Sequence, residues 1–134
     1  SSHLELMRAS SPACSVHAME AADLEERGVR FFALLDDGEA VAIGALKAIS
    51  DHHGELKSMH VRQDRRGRGL AAIILATLLD AARLAGMTRV SLETGSQEAF
   101  APARAFYGRH GFSTCAPFEG YGPDPNSFFM TMEL

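Results

Sequence analysis

Apolar and polar positions follow two different periods along this chain, and the switches between them mark its elements. Ser10-Ser11-Pro12 breaks the first segment, after which Val16–Arg27 reads as a polar, acidic surface helix with Gly28 as its stop. Arg30–Leu35 and Ala40–Ile49 are apolar-rich strands joined by Asp36-Asp37-Gly38-Glu39, a strong hairpin signal. Asp51-His52-His53-Gly54 predicts a second turn and Glu55–Val61 a third strand, which together make an antiparallel meander. Leu70–Ala85 has no Pro or Gly, is rich in good helix formers, and stops at Gly86. Its first ten residues are apolar nearly all round, which predicts a helix buried against a sheet. Val90–Glu93 is a short strand, and Pro102–His110 a second helix with Pro at its start and Gly111 past its end. Phe112–Cys115 is a strand, and Phe118–Asn126, with two Gly and two Pro, is a loop. Ser127–Leu134 carries Phe128, Met130, Met132 and Leu134 on one face of a half-buried final strand. The predicted order is αβββαβαββ, whose strand–helix–strand centre requires at least one parallel pair in a mostly antiparallel sheet.

Composition narrows the class. With 134 residues, 46% hydrophobic and 22% charged, the chain is an ordinary globule long enough to bury a real core, and disorder is excluded. No repeat, low-complexity tract or linker divides it, so residues 1–134 are expected to form one domain. A net charge of −4 argues against a general nucleic-acid coat. The longest apolar run, Leu70–Leu79, is well short of the roughly 18 residues a membrane span needs, and no signal-peptide pattern is present. A cytoplasmic protein with no membrane and no nucleic-acid partner is therefore expected. Cys14 and Cys115 make neither a disulfide scaffold nor a zinc site, which fits a reducing interior. His52, His53 and Glu55 lack a third ligand group at zinc-like spacing, so they read as a solvated turn and no metal is expected. Ser1-Ser2-His3 opens almost directly into a helical-looking pattern, as though the chain began inside its domain or just after a cut tag.

The informative stretch is Val61-Arg62-Gln63-Asp64-Arg65-Arg66-Gly67-Arg68-Gly69-Leu70-Ala71, where a strand ends, a Gly-rich turn follows and a long helix begins. Glycines permit positive φ and close backbone approach, so successive N–H groups can converge on an anion. The helix start adds unpaired amides and roughly half a positive charge. Four arginines against Asp64 concentrate positive charge here, whereas Val16–Glu55 carries nine acids and three Lys/Arg. The spacing is neither a nucleotide-hydrolase P-loop, which needs Lys and a hydroxyl, nor a dinucleotide fingerprint opening a first parallel strand. A pyrophosphate fits the remaining geometry. A solubilising arginine turn is the bland alternative.

Arg65-Arg66-Gly67-Arg68-Gly69-Leu70-Ala71, between such a strand and such a helix, resembles the acyl-CoA loop of the Gcn5-related N-acetyltransferase (GNAT) superfamily. Ala105-Phe106-Tyr107-Gly108-Arg109-His110-Gly111-Phe112 resembles the same family's tyrosine helix and following Gly-Phe, in the family's order and at its distance. Leu92-Glu93-Thr94-Gly95-Ser96 and Asp124–Met130 are similar to an uncharacterised bacterial branch. The resemblance implies an α+β, three-layer fold with a mixed, mostly antiparallel central sheet and helices on both faces. It leaves the family's first strand missing, or only implied, before Leu4.

It further implies a reaction and a site. The backbone of Met59, His60 and Val61 would pair with the pantetheine arm of acetyl-CoA, the co-substrate. Amides from Arg66, Gly67, Arg68 and Gly69 through Leu70 and Ala71 would hold its pyrophosphate. Tyr107 would protonate the departing thiolate, and Glu55 matches the place of a general base. The implied function is acetyl transfer to a primary amine of a small molecule or peptide by direct attack; a homodimer is compatible with it. Two positions depart from the family's pattern. Asp64 stands where Gln or Arg is usual, and an acid beside a pyrophosphate is unfavourable unless it points away or pairs with an arginine. Phe100 stands where many members carry Asn. Both motivate an alternative, a non-catalytic acyl-CoA-binding regulatory module. Tyr107 reads equally as a core tyrosine with a satisfied hydroxyl, and Glu55 as an exposed strand residue paired with Lys57. His60 and His110 flank the expected cleft, and Tyr121 lines the acceptor pocket or anchors its loop.

Overall fold

The computed structural model describes residues 4–8, 29–118, 121–122 and 124–134. Seven strands form one sheet: β1 (Leu4–Arg8), β2 (Val29–Asp36), β3 (Glu39–Ala48), β4 (His53–Val61), β5 (Arg89–Gly95), β6 (Ser113–Thr114) and β7 (Ser127–Glu133). Their spatial order is β1-β2-β3-β4-β5-β7-β6. The only parallel neighbours among them are β4 and β5, and α1 (Leu70–Leu84) makes the crossover between the two. A second helix, α2 (Ala101–Arg109), follows a single 3-10 turn at Glu98–Phe100. The helix expected over Val16–Arg27 lies outside the described residues.

Two readings of the sequence change. Leu4–Arg8 is a strand, not the start of a helical pattern, and it stands where the family's first strand was expected to be missing. Five residues of Leu-Glu-Leu-Met-Arg fit either period, and antiparallel pairing with Phe32–Asp36 decides between them. His53 and Gly54 belong to β4 rather than to a turn, because they pair with Arg89 and Val90 of β5. The long helix packs against the sheet, as its apolar first ten residues predict. Leu70, Ile74, Leu75, Leu78 and Leu79 face the sheet, while Ile73 is 40% exposed.

The β2–β3 hairpin turns on Asp37 and Gly38, both at positive φ (51° and 84°), the conformation whose twist matches antiparallel strands. Helix α1 lies directly on β3 at Gly44. A Cβ there would stand 2.8 Å from Ile74 Cγ2 and Leu78 Cδ1, and 2.9 Å from the Met59 sulfur. The main core gathers Leu46, Leu56, Val90, Leu92 and Met130 from the sheet with the inner faces of α1 and α2. Val29, Phe31, Ala33, Leu35, Ile43 and Ala45 form a separate cluster. Arg104 ties the start of α2 to the sheet: Nη1 donates to the carbonyls of Gly95 (2.6 Å) and Gln97 (3.0 Å), and its guanidinium lies 5.4 Å from the centre of the Phe128 ring.

Leu78 is fully buried at the centre of this packing. Leu78→Ala should lower stability by about 2–5 kcal/mol in urea denaturation. A loss under about 1 kcal/mol would show that α1 can collapse onto β3 without it.

Candidate active site

The site begins with a miscount between two strands. From Ile43 to Ala45 on β3 there are two steps, but from His60 back to Lys57 on β4 there are three, so β4 carries one extra residue. Ser58, inside that interval, has φ +57°, a left-handed conformation that costs a non-glycine residue about 1–2 kcal/mol. The extra residue also resets the alternation, so that Leu56 and Met59 both pack with the main core. Pairing with β5 stops at Leu56↔Leu92, just before this point. Beyond it, Lys57–Val61 and Glu93–Gly95 have no register partners in each other, and a cleft of about 980 Å³ opens between the strands. A bulge next to a strand's divergence is thus the structural origin of the opening.

One end of the cleft is the arginine–glycine turn. Gly67 and Gly69 have φ +80° and +76°, and a Cβ at either would meet nothing within 4 Å. Glycine is required there by dihedral angle, not by crowding. Gly69 is the N-cap of α1 and supplies no side-chain acceptor to the helix amides. Among the described residues no acceptor is found for the amides of Gly67, Arg68, Gly69, Leu70 and Ala71, whereas the amide of Arg66 reaches the Gln63 carbonyl at 3.4 Å. Five neighbouring donors therefore lie at the positive end of a 15-residue helix.

The arginines divide into two pairs. Arg62 holds Asp64 through Nε (2.6 Å) and Nη2 (3.0 Å) and reaches Glu39 through Nη1 (3.1 Å). Arg65 is bonded to the buried carboxylate of Asp36. Those cations stabilise the turn's own frame, and the charge concentration counted along the sequence is correspondingly reduced. Arg66 and Arg68 carry no carboxylate partner among the described residues. The hydrogen bonds from Arg62 hold the Asp64 carboxyl below its ordinary range, so the acid is ionised and already paired. Phe100 is 45% exposed on the cleft wall, its ring so close to Gly95 that a Cβ there would clash at 2.2 Å.

Met59, His60, Val61, Arg66, Gly67, Gly69, Leu70 and Ala71 all line the cleft, and so does Tyr107 from α2; Arg68 and Glu55 do not. Sequence reasoning missed Lys57, Glu93, Thr94 and Pro102 as lining residues, and of these only Pro102, at a helix start, carried a recognisable signal. His60 and His110 do flank the cleft. Tyr107 is 8% exposed, edge-on to Phe106 (5.3 Å) and Phe112 (5.6 Å). No partner for its hydroxyl is found among the described residues, where no fully buried polar side-chain atom lacks one. The hydroxyl is therefore not sealed in the core, unlike that of a satisfied core tyrosine, and the residue lines the cleft.

Glu55 is not an exposed strand residue. It is 3% exposed, and it accepts a hydrogen bond from the Tyr121 hydroxyl at Oε2 (2.5 Å), with Lys57 Nζ 3.8 Å away. By alternation it lies on the opposite side of β4 from Leu56 and the Tyr107 core, one residue before the strands part. Phe118, Tyr121 and Phe129 pack against one another there, with ring centres 5.0–5.7 Å apart. His53 is no solvated turn residue: its Nε2 lies 2.6 Å from Ser91 Oγ, itself 2.8 Å from Thr131 Oγ1. Among the described residues, no group of three His, Cys, Asp or Glu side chains could hold a metal.

Burial pushes the Tyr107 phenol up to about 12 and raises Tyr121 as well, the latter also through its bond to Glu55. These are the only two tyrosines. Absorbance near 295 nm should consequently show no tyrosinate step around pH 10 in the folded protein. Since an unfolded phenol ionises near 10, stability should fall as pH rises from about 10 to 12. A native step at pH 10 would contradict the burial of both rings.

The family profile described as "Acetyltransferase (GNAT) family" matches residues 2–112. A relative from Bacillus subtilis, the uncharacterized N-acetyltransferase YsnE, is 40% identical over 132 residues, covering 98% of this chain and 87% of its own. A solved structure titled as an acyl-CoA N-acyltransferase, from Klebsiella pneumoniae, superposes with a TM-score of 0.81 at 29% identity and covers 99% of this chain and 97% of its own. A GNAT family acetyltransferase from Elizabethkingia anophelis, solved with acetyl-CoA bound, shares the fold at a TM-score of 0.78 and 14% identity, with 98% of both chains covered. On the extent of the profile match and the identity to its relatives, this chain belongs to the GNAT family of acetyltransferases and is an enzyme of the N-acyltransferase type.

Proposed function

We propose that the protein transfers an acetyl group from acetyl-CoA to a primary amine by direct attack. The observation that carries this reading is the coincidence, in one cleft, of unpartnered amides from four residues at a helix start, Gly67, Gly69, Leu70 and Ala71, with the unpartnered hydroxyl of Tyr107. The amides of Gly67–Ala71 bind the pyrophosphate, assisted by Arg66, and the edge of Met59–Val61, unpaired with β5 and touched only at the Val61 carbonyl by Arg66 Nε (3.4 Å), takes the pantetheine arm as an added strand would be taken. That route leads along β4 toward the parting of the strands, with Tyr107 on the α1 side of the sheet and Glu55, outside the cleft lining, on the other. Glu55 removes a proton from the attacking amine, directly or through water. The amine nitrogen bonds to the thioester carbon, the C–S bond breaks, and Tyr107 protonates the sulfur. A phenol held neutral to about pH 12 is a proton donor throughout the physiological range. A backbone amide of β4 next to the bulge can stabilise the developing oxyanion.

The alternative of a non-catalytic binding module rested on Asp64 and Phe100. Asp64 is paired with Arg62, and Phe100 forms cleft wall, so neither favours it. The acidic character of Glu55 and Glu93 beside three aromatic rings suits a cationic amine as acceptor.

Thiol release from acetyl-CoA should be measured across polyamines, amino acids, aminoglycosides, peptides and simple alkylamines. Tyr107→Phe should lower kcat by about 10²-fold or more with coenzyme A affinity retained. Gly69→Ala should weaken coenzyme A by about tenfold, the cost of placing a Cβ in the left-handed region. Coenzyme A binding without turnover of any amine would leave only the binding half of the reading.

A further inference from the structure

We infer that Tyr121 is a positioning residue for the acetyl transfer: its hydroxyl fixes one oxygen of Glu55 and leaves the other to take the acceptor's proton. This rests on the reading of Glu55 as the base and adds a residue that the reading does not contain. The two residues are 66 positions apart in sequence, and the loop before β7 brings them together.

Glu55 Oε2 accepts the Tyr121 hydroxyl at 2.5 Å and has Lys57 Nζ at 3.8 Å. Oε1 has no partner among the described residues. Because no fully buried polar side-chain atom there lacks a partner, Oε1 keeps some exposure in a residue that is otherwise buried, and it is the oxygen left for the acceptor's proton. A free carboxylate can rotate and present either oxygen, whereas this one is pinned by a short hydrogen bond to a charged acceptor, among the stronger kinds. The Tyr121 ring is itself fixed, packed at 5.0 Å on Phe118 and 5.5 Å on Phe129. Its amide donates to the Phe118 carbonyl at 2.9 Å. The orientation of the base is therefore set by a rigid aromatic support and not by solvent. In the reaction the ammonium proton passes to Oε1 as the amine nitrogen attacks the thioester carbon. Tyr121 keeps its own proton, and Tyr107 supplies the one that the sulfur receives. The second proton leaves the nitrogen as the C–S bond breaks and returns through water to the Tyr107 phenolate, while Glu55 gives its proton to solvent.

Tyr121→Phe preserves the ring contacts and deletes only the hydroxyl, which separates positioning from packing. With acetyl-CoA and methylamine, a probe small enough to reach the base, Tyr121→Phe should lower kcat by about tenfold and leave the acetyl-CoA KM unchanged. In a Glu55→Gln background the same change should cost nothing further, because the hydroxyl acts through the carboxylate. A second measurement needs no turnover: in Tyr107→Phe the only tyrosine left is Tyr121, whose phenol should ionise well above pH 10. Adding Glu55→Gln should lower that ionisation, since the bonded carboxylate adds to burial in disfavouring the phenolate. Tyr121→Phe at the wild-type rate beside an impaired Glu55→Gln overturns this inference and leaves the base intact. A wild-type rate for Glu55→Gln overturns both. An unmoved Tyr121 titration shows that the contact is absent and overturns the inference by itself.

Discussion

A parallel pair of strands normally keeps its hydrogen bonds along its whole length, because a buried peptide group without a partner costs free energy. Here β4 and β5 pair over only four positions, His53–Leu56 with Arg89–Leu92, and then separate. The extra residue at Ser58 bends β4 away while its other edge stays paired to β3. The consequence is an inner strand edge with unpaired backbone, open to a ligand that can complete the sheet. Every other part of the site takes its position from that parting. The arginine–glycine turn lies at the far end of β4, Tyr107 is presented by the helix after β5, and Glu55 sits one residue before the strands part.

Electrostatics in the turn come from the backbone more than from the side chains. Arg62 and Arg65 are committed to Asp64, Glu39 and Asp36, so two of four arginines stabilise the shape of the loop. What remains pointing outward is a row of amides at a helix N-terminus, together with Arg66 and Arg68. Amide donors held by positive-φ glycines are preorganised and lose little freedom on binding an anion, unlike long flexible cations. An acidic protein can thus hold a pyrophosphate without a broad basic face.

The turn itself was legible in the sequence because its physics is local: glycine for positive φ, a helix start for amides, and a strand before it. The tyrosine helix was legible for the same reason, bounded by Pro102 and Gly111. Contacts made across long separations were not. Nothing near Asp64 reveals that Glu39 and Asp36, from the hairpin of β2 and β3, would share its arginines. Tyr121 stands in a Gly/Pro-rich loop whose composition says only that it turns, so its bond to Glu55 is visible only in three dimensions. Leu4–Arg8 was ambiguous because five residues cannot distinguish a period of 3.6 from one of 2, and its partner β2 supplies the missing information. The bulge at Ser58 is equally silent, since serine does not advertise a left-handed backbone as glycine does.

On the proposed reading, backbone amides, rather than arginine side chains, grip the coenzyme. Amide chemical shifts recorded while coenzyme A is titrated into the isotope-labelled protein test it residue by residue. The account predicts the largest displacements at Gly67, Arg68, Gly69, Leu70 and Ala71, with a second group at Met59–Val61 along the open edge of β4. Saturable binding that leaves those resonances in place and moves others would contradict it.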